Sequence, residues 1–520
     1  MTHQRLLLSL AAVAVGFAAA DTYVVVLALP DMMTSVGLAV DELQRAAPIV
    51  SGFLLGYVAA LPLIGRIADL RGRLPVLVGS LVVFALGSLV TAAAYDLPSM
   101  VVGRFLQGVG GGGLVPATLA LVADLYPPAR RGVPLGVVGA VQELGAVIGP
   151  LYGALVLAVA PWQAIFAVNL AAGLALAAAL RSLAPRGSSA VRAGRADWLG
   201  GLLLALTLVA LVLTMVPPPV LATDVTLGLA FVPLVGESRW LAPVGLATVA
   251  LAVALLVRCL TARRPLVDVR RWVAVARQAD LVGAALLALA LAGVILAFAT
   301  ADPQVAVLPP AGPWLLLASA GFVALFWLHG RRAEAPLVPH RALAARPAWG
   351  ALVVSFFVGA ALIAALVDIP IFARVTVYPS SQLDAALVLV RLLVALPVGA
   401  LAGGYLIRRL PVAPVTAGGL LAAAAGFWWM STWGLTSLSS AVATIPLVVT
   451  GLGFGLALAP VNAALLAATA DHVHGVSSAL LVVARMVGML VGISALTTLG
   501  LRRYYAVQVD LPSPADVCSS

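Results

Sequence analysis

The sequence predicts an all-α protein that crosses a lipid bilayer many times, on three observations. Of its 520 residues, 63% are hydrophobic and 10% are charged, whereas a soluble chain carries roughly 25% charged residues. The apolar residues come in runs of about 20, the length that spans a hydrocarbon core as a helix. The runs lack the period-two alternation of a membrane barrel, so the helix is left as the way to satisfy backbone polar groups in lipid. This composition excludes a soluble enzyme, a nucleic-acid-binding protein and a disordered scaffold.

Fifteen runs qualify. The first six cover 6–29, 47–65, 74–95, 100–123, 132–157 and 162–180. Four more cover 198–216, 241–258, 280–299 and 313–329. The last five cover 349–372, 383–407, 413–433, 440–468 and 475–500. The first run contains Ala18-Ala19-Ala20 after Arg5, which superficially resembles a cleavable leader. It continues past Asp21 to Leu29, however, and is read as a spanning helix. Three regions follow: an N-terminal six-helix bundle (1–181), a linker region (182–348) and a C-terminal bundle with an outer tail (349–520).

The net charge of +10 comes from 30 basic residues, all Arg, set in short clusters between the runs. With the N-terminus inside, 22 Arg fall in inner loops, five in outer loops and three within spans. Such asymmetry orients a membrane protein, so the N-terminus is expected to be cytoplasmic. Cys259 and Cys518 lie too far apart to suggest a disulfide framework. The count of six, four and five leaves the last set one helix short. The favoured reading is that the given sequence stops early, in an outer loop begun by the polar stretch 510–520.

Three motifs carry a family resemblance. Gly65 ends the second run and Asp69, Gly72 and Arg73 follow it, with Leu70 in a position where a basic residue is usual. Gly103-Arg104-Phe105-Leu106-Gln107-Gly108 lies in the fourth run. Gly145, Gly149, Pro150 and Gly153 lie in the fifth, where small residues four apart permit close helix packing. In this order the motifs resemble the cytoplasmic signature loop, the fourth-helix motif and the antiporter motif of the major facilitator superfamily. The strings around Asp21, Gln142-Glu143 and Arg485 are similar to lipid exporters of that superfamily from mycobacteria, which handle triacylglyceride or drugs and work with a periplasmic lipoprotein. The resemblance covers the first six runs and residues from about 349 to 505. It implies a fold of two helix bundles, placement in a bacterial inner membrane, no cofactor beyond a proton gradient, and a periplasmic lipoprotein as possible partner.

The middle lies outside the resemblance and reads as a duplicated hairpin. Ala196-Asp197, Gly200 and Leu203-Leu204-Ala205-Leu206 reappear as Ala279-Asp280, Gly283 and Leu286-Leu287-Ala288-Leu289. Pro265-Leu266-Val267 with Arg270 reappears as Pro336-Leu337-Val338 with Arg341. These four helices hold no deep ionisable residue and are assigned structure or partner contact.

Asp21, Arg104, Glu143, Arg391 and Arg485 lie within the runs outside the linker region, and Asp368 lies near the outer end of one. Each is costly there, at roughly 2.5–3.5 kcal/mol on insertion scales. Asp21 is expected to carry a proton and to lie within reach of Arg104. Glu143 and Arg485 occupy nearly equivalent places in two structural repeats, because aligning Gly145 with Gly488 sets Gln142 opposite Arg485. They are expected to pair across the bundles in one transport state. Arg391 has two candidate partners, Glu143 and Asp368. Asp471, His472 and His474 read as a solvated inner turn, and no metal site is expected. The Gly110–Gly113 run lies inside a span and is assigned to close helix contact.

These observations point to a non-enzymatic, proton-coupled exporter of lipidic or hydrophobic substrates. Multidrug efflux and, in another class, a membrane receptor or assembly scaffold stand as alternatives. No phosphate-binding Gly-x-x-x-x-Gly-Lys loop supports ATP-driven transport.

Overall fold

The structure, a computed structural model, describes residues 2–39, 43–183, 197–263, 265–299, 311–339, 344–378 and 381–509. Every regular element among them is helical. The first bundle comprises α1 (Thr2–Ser35), α2 (Leu43–Arg71), α3 (Arg73–Ala92), α4 (Leu97–Leu125), α5 (Gly132–Val159) and α6 (Gln163–Ser182). The linker holds α7 (Trp198–Met215), the single turn α8 (Pro219–Ala222), α9 (Pro243–Thr261), α10 (Val269–Gln278), α11 (Leu281–Ala299) and α12 (Gly312–Arg332). The last bundle comprises α13 (Arg346–Thr376), α14 (Gln382–Leu406), α15 (Val412–Met430), α16 (Thr444–Ala468) and α17 (His474–Val509).

Fourteen helices among the described residues are long and apolar enough to cross a membrane, and a fifteenth is reached if α10 and α11, bent by 75°, are counted as one span. The expected count of fifteen is thus not confirmed. The difference falls on the run 280–299, whose sharp entry follows Asp280 at φ 56°. The amphipathic α10, Val-Arg-Arg-Trp-Val-Ala-Val-Ala-Arg-Gln, was not anticipated; at ten residues it is too short to cross a bilayer alone. The signature loop also shrinks. The α2 helix continues to Arg71, so Asp69 sits on its last turn, and Gly72 alone, at φ 98°, turns the chain into α3.

Glycines set the packing and expose an internal repeat. A side chain on Gly108 or Gly112 of α4 would strike the carbonyls of Phe53 or Tyr57 on α2. One on Gly451 or Gly455 of α16 would strike those of Leu392 or Leu396 on α14. Gly110 abuts Ser80 and Phe84 on α3, as Gly453 abuts Gly419 and Ala423 on α15. Gly145 and Gly149 of α5 abut Gly16 and Ala20 of α1, as Gly488 and Gly492 of α17 abut Phe356 and Ala360 of α13. Helices in lipid associate through such close approach because no hydrophobic drive separates a helix surface from lipid tails.

On the Arg-rich side one buried cluster unites both bundles, with Leu119 and Val122 of α4, Leu466 of α16 and Ala479 and Val482 of α17. Towards the far side the cores part. Val24, Met32, Ile49, Met100 and Phe166 form one, and Leu362, Val388, Leu392, Leu447 and Phe454 another.

The two linker hairpins are built alike. Asp197 caps α7 by accepting from Gly200 N at 3.1 Å, and also accepts from Arg258 Nη2 at 2.9 Å and Leu266 N at 3.1 Å. Asp280 caps α11 from Gly283 N at 2.9 Å, contacts His329 Nε2 at 2.7 Å and accepts from Leu337 N at 2.9 Å. The residues that repeat in the sequence thus perform the same task twice: each Asp ties the start of one helix to the end of its partner and to the following Pro-Leu-Val segment.

Candidate functional site

Asp21 lies inside the first bundle, 1% exposed, where α1, α3, α4 and α6 converge. Its Oδ2 accepts from Arg104 Nη1 at 2.9 Å and its Oδ1 from Gln107 Nε2 at 2.9 Å. Asn169 Nδ2 on α6 also donates to Oδ1. Gln107 donates further to Ser88 Oγ at 3.0 Å and accepts from Arg104 through Oε1. The guanidinium stacks 4.4 Å above the Phe53 ring on α2. A charge pair without water holds only when most of its remaining donors and acceptors are met; here amides serve both Asp21 Oδ1 and Arg104 Nη1, while Arg104 Nε is buried without a hydrogen-bond partner. Arg104 and Gln107 project together because they stand three residues apart on α4.

Glu143 and Arg485 occupy a different setting. Glu143 on α5 belongs to the first bundle and Arg485 on α17 to the last, and Glu143 Oε1 stands 3.9 Å from Arg485 Nη1. That is an ion pair by distance and too long for a direct hydrogen bond. The two line a narrow space with Val115, Leu119, Val138, Leu458 and Val482, where the further polar groups are Gln142 and Asn462. Arg485 reaches this point because its backbone lies directly against Gly359 of α13.

The signature residues form a third contact, also between the bundles. Asp69 accepts from the backbone N–H groups of Gly475 at 2.8 Å and Val476 at 3.0 Å, in the first turn of α17. Gly65 permits this, since a side chain there would stand 2.6 Å from the Gly475 carbonyl. Arg73 bonds the Asp471 carbonyl at 2.8 Å and stands 3.4 Å from Asp69 and 3.3 Å from Asp124. A carboxylate at a helix start is favoured by the helix dipole as well as by the free N–H groups. Gly145, Gly149 and Gly153 serve the α1–α5 contact, the last meeting Val24, and Pro150 lies within α5.

The structure does not bring Arg391 to either expected partner. Its Nη1 donates to Thr444 Oγ1 at 3.0 Å, at the first turn of α16, whereas Glu143 lies mid-way along α5. Asp368, on α13, is exposed. His474 is buried rather than solvated and donates through Nε2 to the Leu466 carbonyl at 3.0 Å, closing the end of α16.

The profile of the Major Facilitator Superfamily matches residues 11–329. The chain belongs to that superfamily. It is 36% identical over 531 aligned residues to the triacylglyceride transporter of Mycolicibacterium hassiacum, covering 99% of this chain and 84% of that protein. It is 36% identical to the triacylglyceride transporter of Mycobacteroides abscessus, over 97% of this chain and 84% of that protein. The triacylglyceride transporter of Mycobacterium tuberculosis strain H37Rv is 33% identical, over 98% of this chain and 85% of that protein. Two solved superfamily structures share the fold. The proton:xylose symporter XylE superposes with a TM-score of 0.57 at 14% identity, over 98% of this chain and 91% of its own. The human organic anion transporter MFSD10 gives 0.53 at 16%, over 95% and 94%.

Within this superfamily fold, sequence reasoning singled out the charges of the Asp21 cluster but not its amides. Gln107 lies within the fourth-helix motif, and Asn169 lies outside every motif. The available signal was a lone amide in an otherwise apolar helix, which is costly unless it meets a polar partner.

Proposed function

We propose that this chain is a proton-coupled exporter that works by alternating access and carries lipidic cargo of the triacylglyceride class. The names borne by its relatives support the cargo. The Glu143–Arg485 pair carries the reading of the mechanism: it joins two bundles across a narrow space walled mainly by apolar side chains, with Gln142 and Asn462 beside it, so rocking the bundles must make or break it. The narrow space is small, which fits a state in which the Arg-rich side is shut. In this reading that side faces the cytoplasm, the N-terminus lies there, and the membrane is a bacterial inner membrane. A periplasmic lipoprotein that receives the lipid belongs to the same proposal.

Proton coupling is assigned to Glu143. Rocking the bundles changes both the distance from this carboxylate to Arg485 and its access to water, the two quantities that set how firmly a carboxylate holds a proton. Asp21 takes all its partners from one bundle, so rigid-body rocking leaves them unchanged. It is assigned to holding that bundle together.

Proteoliposomes with an imposed pH gradient test the assignment. Glu143→Gln and Arg485→Ala should each abolish gradient-driven movement of a fluorescent triacylglyceride while the protein remains folded, since each removes the charge contact that rocking is to make and break. The exchange Glu143→Arg with Arg485→Glu should recover part of it. Gradient-driven transport by Glu143→Gln at the native rate would refute the assignment.

A further inference from the structure

Two bundles that rock about a central site meet along two seams open to the bilayer, one between α2 and α17 and one between α5 and α14. The second linker hairpin lies on the first seam. Its α11 helix packs against α2 and also against α17. Leu291 and Ile295 of α11, 7% and 1% exposed, belong to the buried cluster that unites the bundles. The α12 helix backs α11 through Ser319, whose hydroxyl donates to the Ala290 carbonyl at 2.6 Å.

The attachment is uneven. Arg71, at the end of α2, stacks 4.3 Å from the Trp272 ring of α10, and the same indole lies over Gly79 of α3. The root of the hairpin is therefore fixed to α2 and α3, both of the first bundle, through a cation–π contact and close packing. On the last bundle α11 meets α17.

The other seam has no such cover among the described residues. On the Arg-rich side it is shut by backbone contact, with Gly132 against the Gly404 carbonyl and Gly136 against that of Ala400. Further along, Leu151, Leu155 and Val159 of α5 and Val394 and Val398 of α14 are exposed.

We infer that α11 is a fixed seal over the α2–α17 seam, carried by the first bundle while α17 slides beneath it, so that lipid passes between bilayer and central space on the α5–α14 side alone. This rests on the lipid-export reading above. The acyl chains of such a cargo need an apolar path throughout, and the α5–α14 faces supply one. The linker then sets the route of the cargo, a role in transport that its lack of deep charge concealed.

Photolabelling tests this on the full chain in phosphatidylcholine vesicles. A triacylglycerol with a diazirine in its acyl chain is compared with a phosphatidylcholine bearing the same group, and adducts are mapped by mass spectrometry. Triacylglycerol labelling should exceed phosphatidylcholine labelling severalfold on α5 and α14, and the two should be equal on those residues of α2 and α17 that do not line the central space, as Val482 and Arg485 do. Deleting 279–341 with a short linker should extend the excess to α17. Trp272→Ala combined with Ile295→Ala, which loosens the seal and keeps every helix, should do so in part. A triacylglycerol excess on the residues of α2 and α17 outside the central space, in the intact chain, would overturn the inference and leave the cargo reading standing. An excess confined to α5 and α14 even after both the deletion and the loosening would overturn the seal alone. Equal labelling by both probes everywhere would overturn the cargo reading and the route with it.

Discussion

Gly65→Ala should open the gate on the Arg-rich side. The new methyl would stand 2.6 Å from the Gly475 carbonyl oxygen, where carbon and oxygen ordinarily approach to about 3.3–3.6 Å. The first turn of α17 must therefore retreat by about 0.7–1 Å. The Asp69 bond to Gly475 N, 2.8 Å in the native chain, then lengthens to about 3.6 Å, beyond hydrogen-bonding range. A hydrogen bond to a charged group contributes about 1.5–3 kcal/mol. Its loss shifts a two-state equilibrium by about 10- to 150-fold, because each 1.4 kcal/mol is tenfold. Asp69→Asn, which removes the charge and keeps the shape, should shift it in the same direction by less. Gly418→Ala is the control, since its added methyl would meet open space. Spin labels at the exposed positions Arg130 and Arg408, one on each bundle, report the separation by pulsed dipolar spectroscopy. Longer distances should appear in Gly65→Ala and not in Gly418→Ala. Identical distance distributions in all the variants would refute the reasoning that this contact holds the gate.

Two further outcomes follow from the buried carboxylates and the linker. Asp21→Asn should lower thermal stability strongly, since an unpaired buried Arg104 costs about 3–5 kcal/mol, and Arg104→Gln on top should restore part of it. A normally stable Asp21→Asn chain that had lost proton coupling would return proton carriage to Asp21. Asp197 bonds Arg258 and the N–H groups of Gly200 and Leu266, which together hold its carboxyl below the usual carboxylate range. A lowered folded pKa contributes stability that is present above the unfolded value of about 3.9 and is lost as pH falls through the folded one. Protease sensitivity of the 216–242 loop should therefore stay constant from neutral pH down to that region and rise below it, and Asp197→Asn should remove the acid-side change.

The positions of the helices were legible because lipid permits few alternatives. A run of about 20 apolar residues has one way to satisfy its backbone. Glycine spacing also carried real information. Aligning Gly145 with Gly488 gave the register in which Gln142 matches Arg485, and the contacts of those glycines with α1 and α13 follow the same register. Side-chain partnership was harder to read. Arg391 has no acid three or four residues away on its helix, and distance along the chain said nothing about Thr444. The α10 helix was missed because its Arg-rich face looked like loop charge, although Trp272 and its valines recur on the opposite face. The seating of the linker against α2 and α17 depends on contacts between segments far apart in sequence, and no local pattern announces them.

The repeat has a consequence for the mechanics of the molecule. In the register fixed by the glycines, Asp21, Ser88, Arg104 and Gln107 of the first bundle correspond to Ala361, Phe427, Leu447 and Thr450 of the last. Directional bonds lace four helices of the first bundle together, and a cation–π contact adds α2. At the equivalent points of the last bundle there are aliphatic and aromatic side chains, and Thr450, whose hydroxyl bonds back to the Pro446 carbonyl of its own helix. Van der Waals contact tolerates small sliding displacements that charged hydrogen bonds, with their narrow geometry, resist. The two halves are thus unequal as mechanical parts. At these positions the first is the stiffer frame, the one to which the root of the second linker hairpin is attached, and the last is the more compliant.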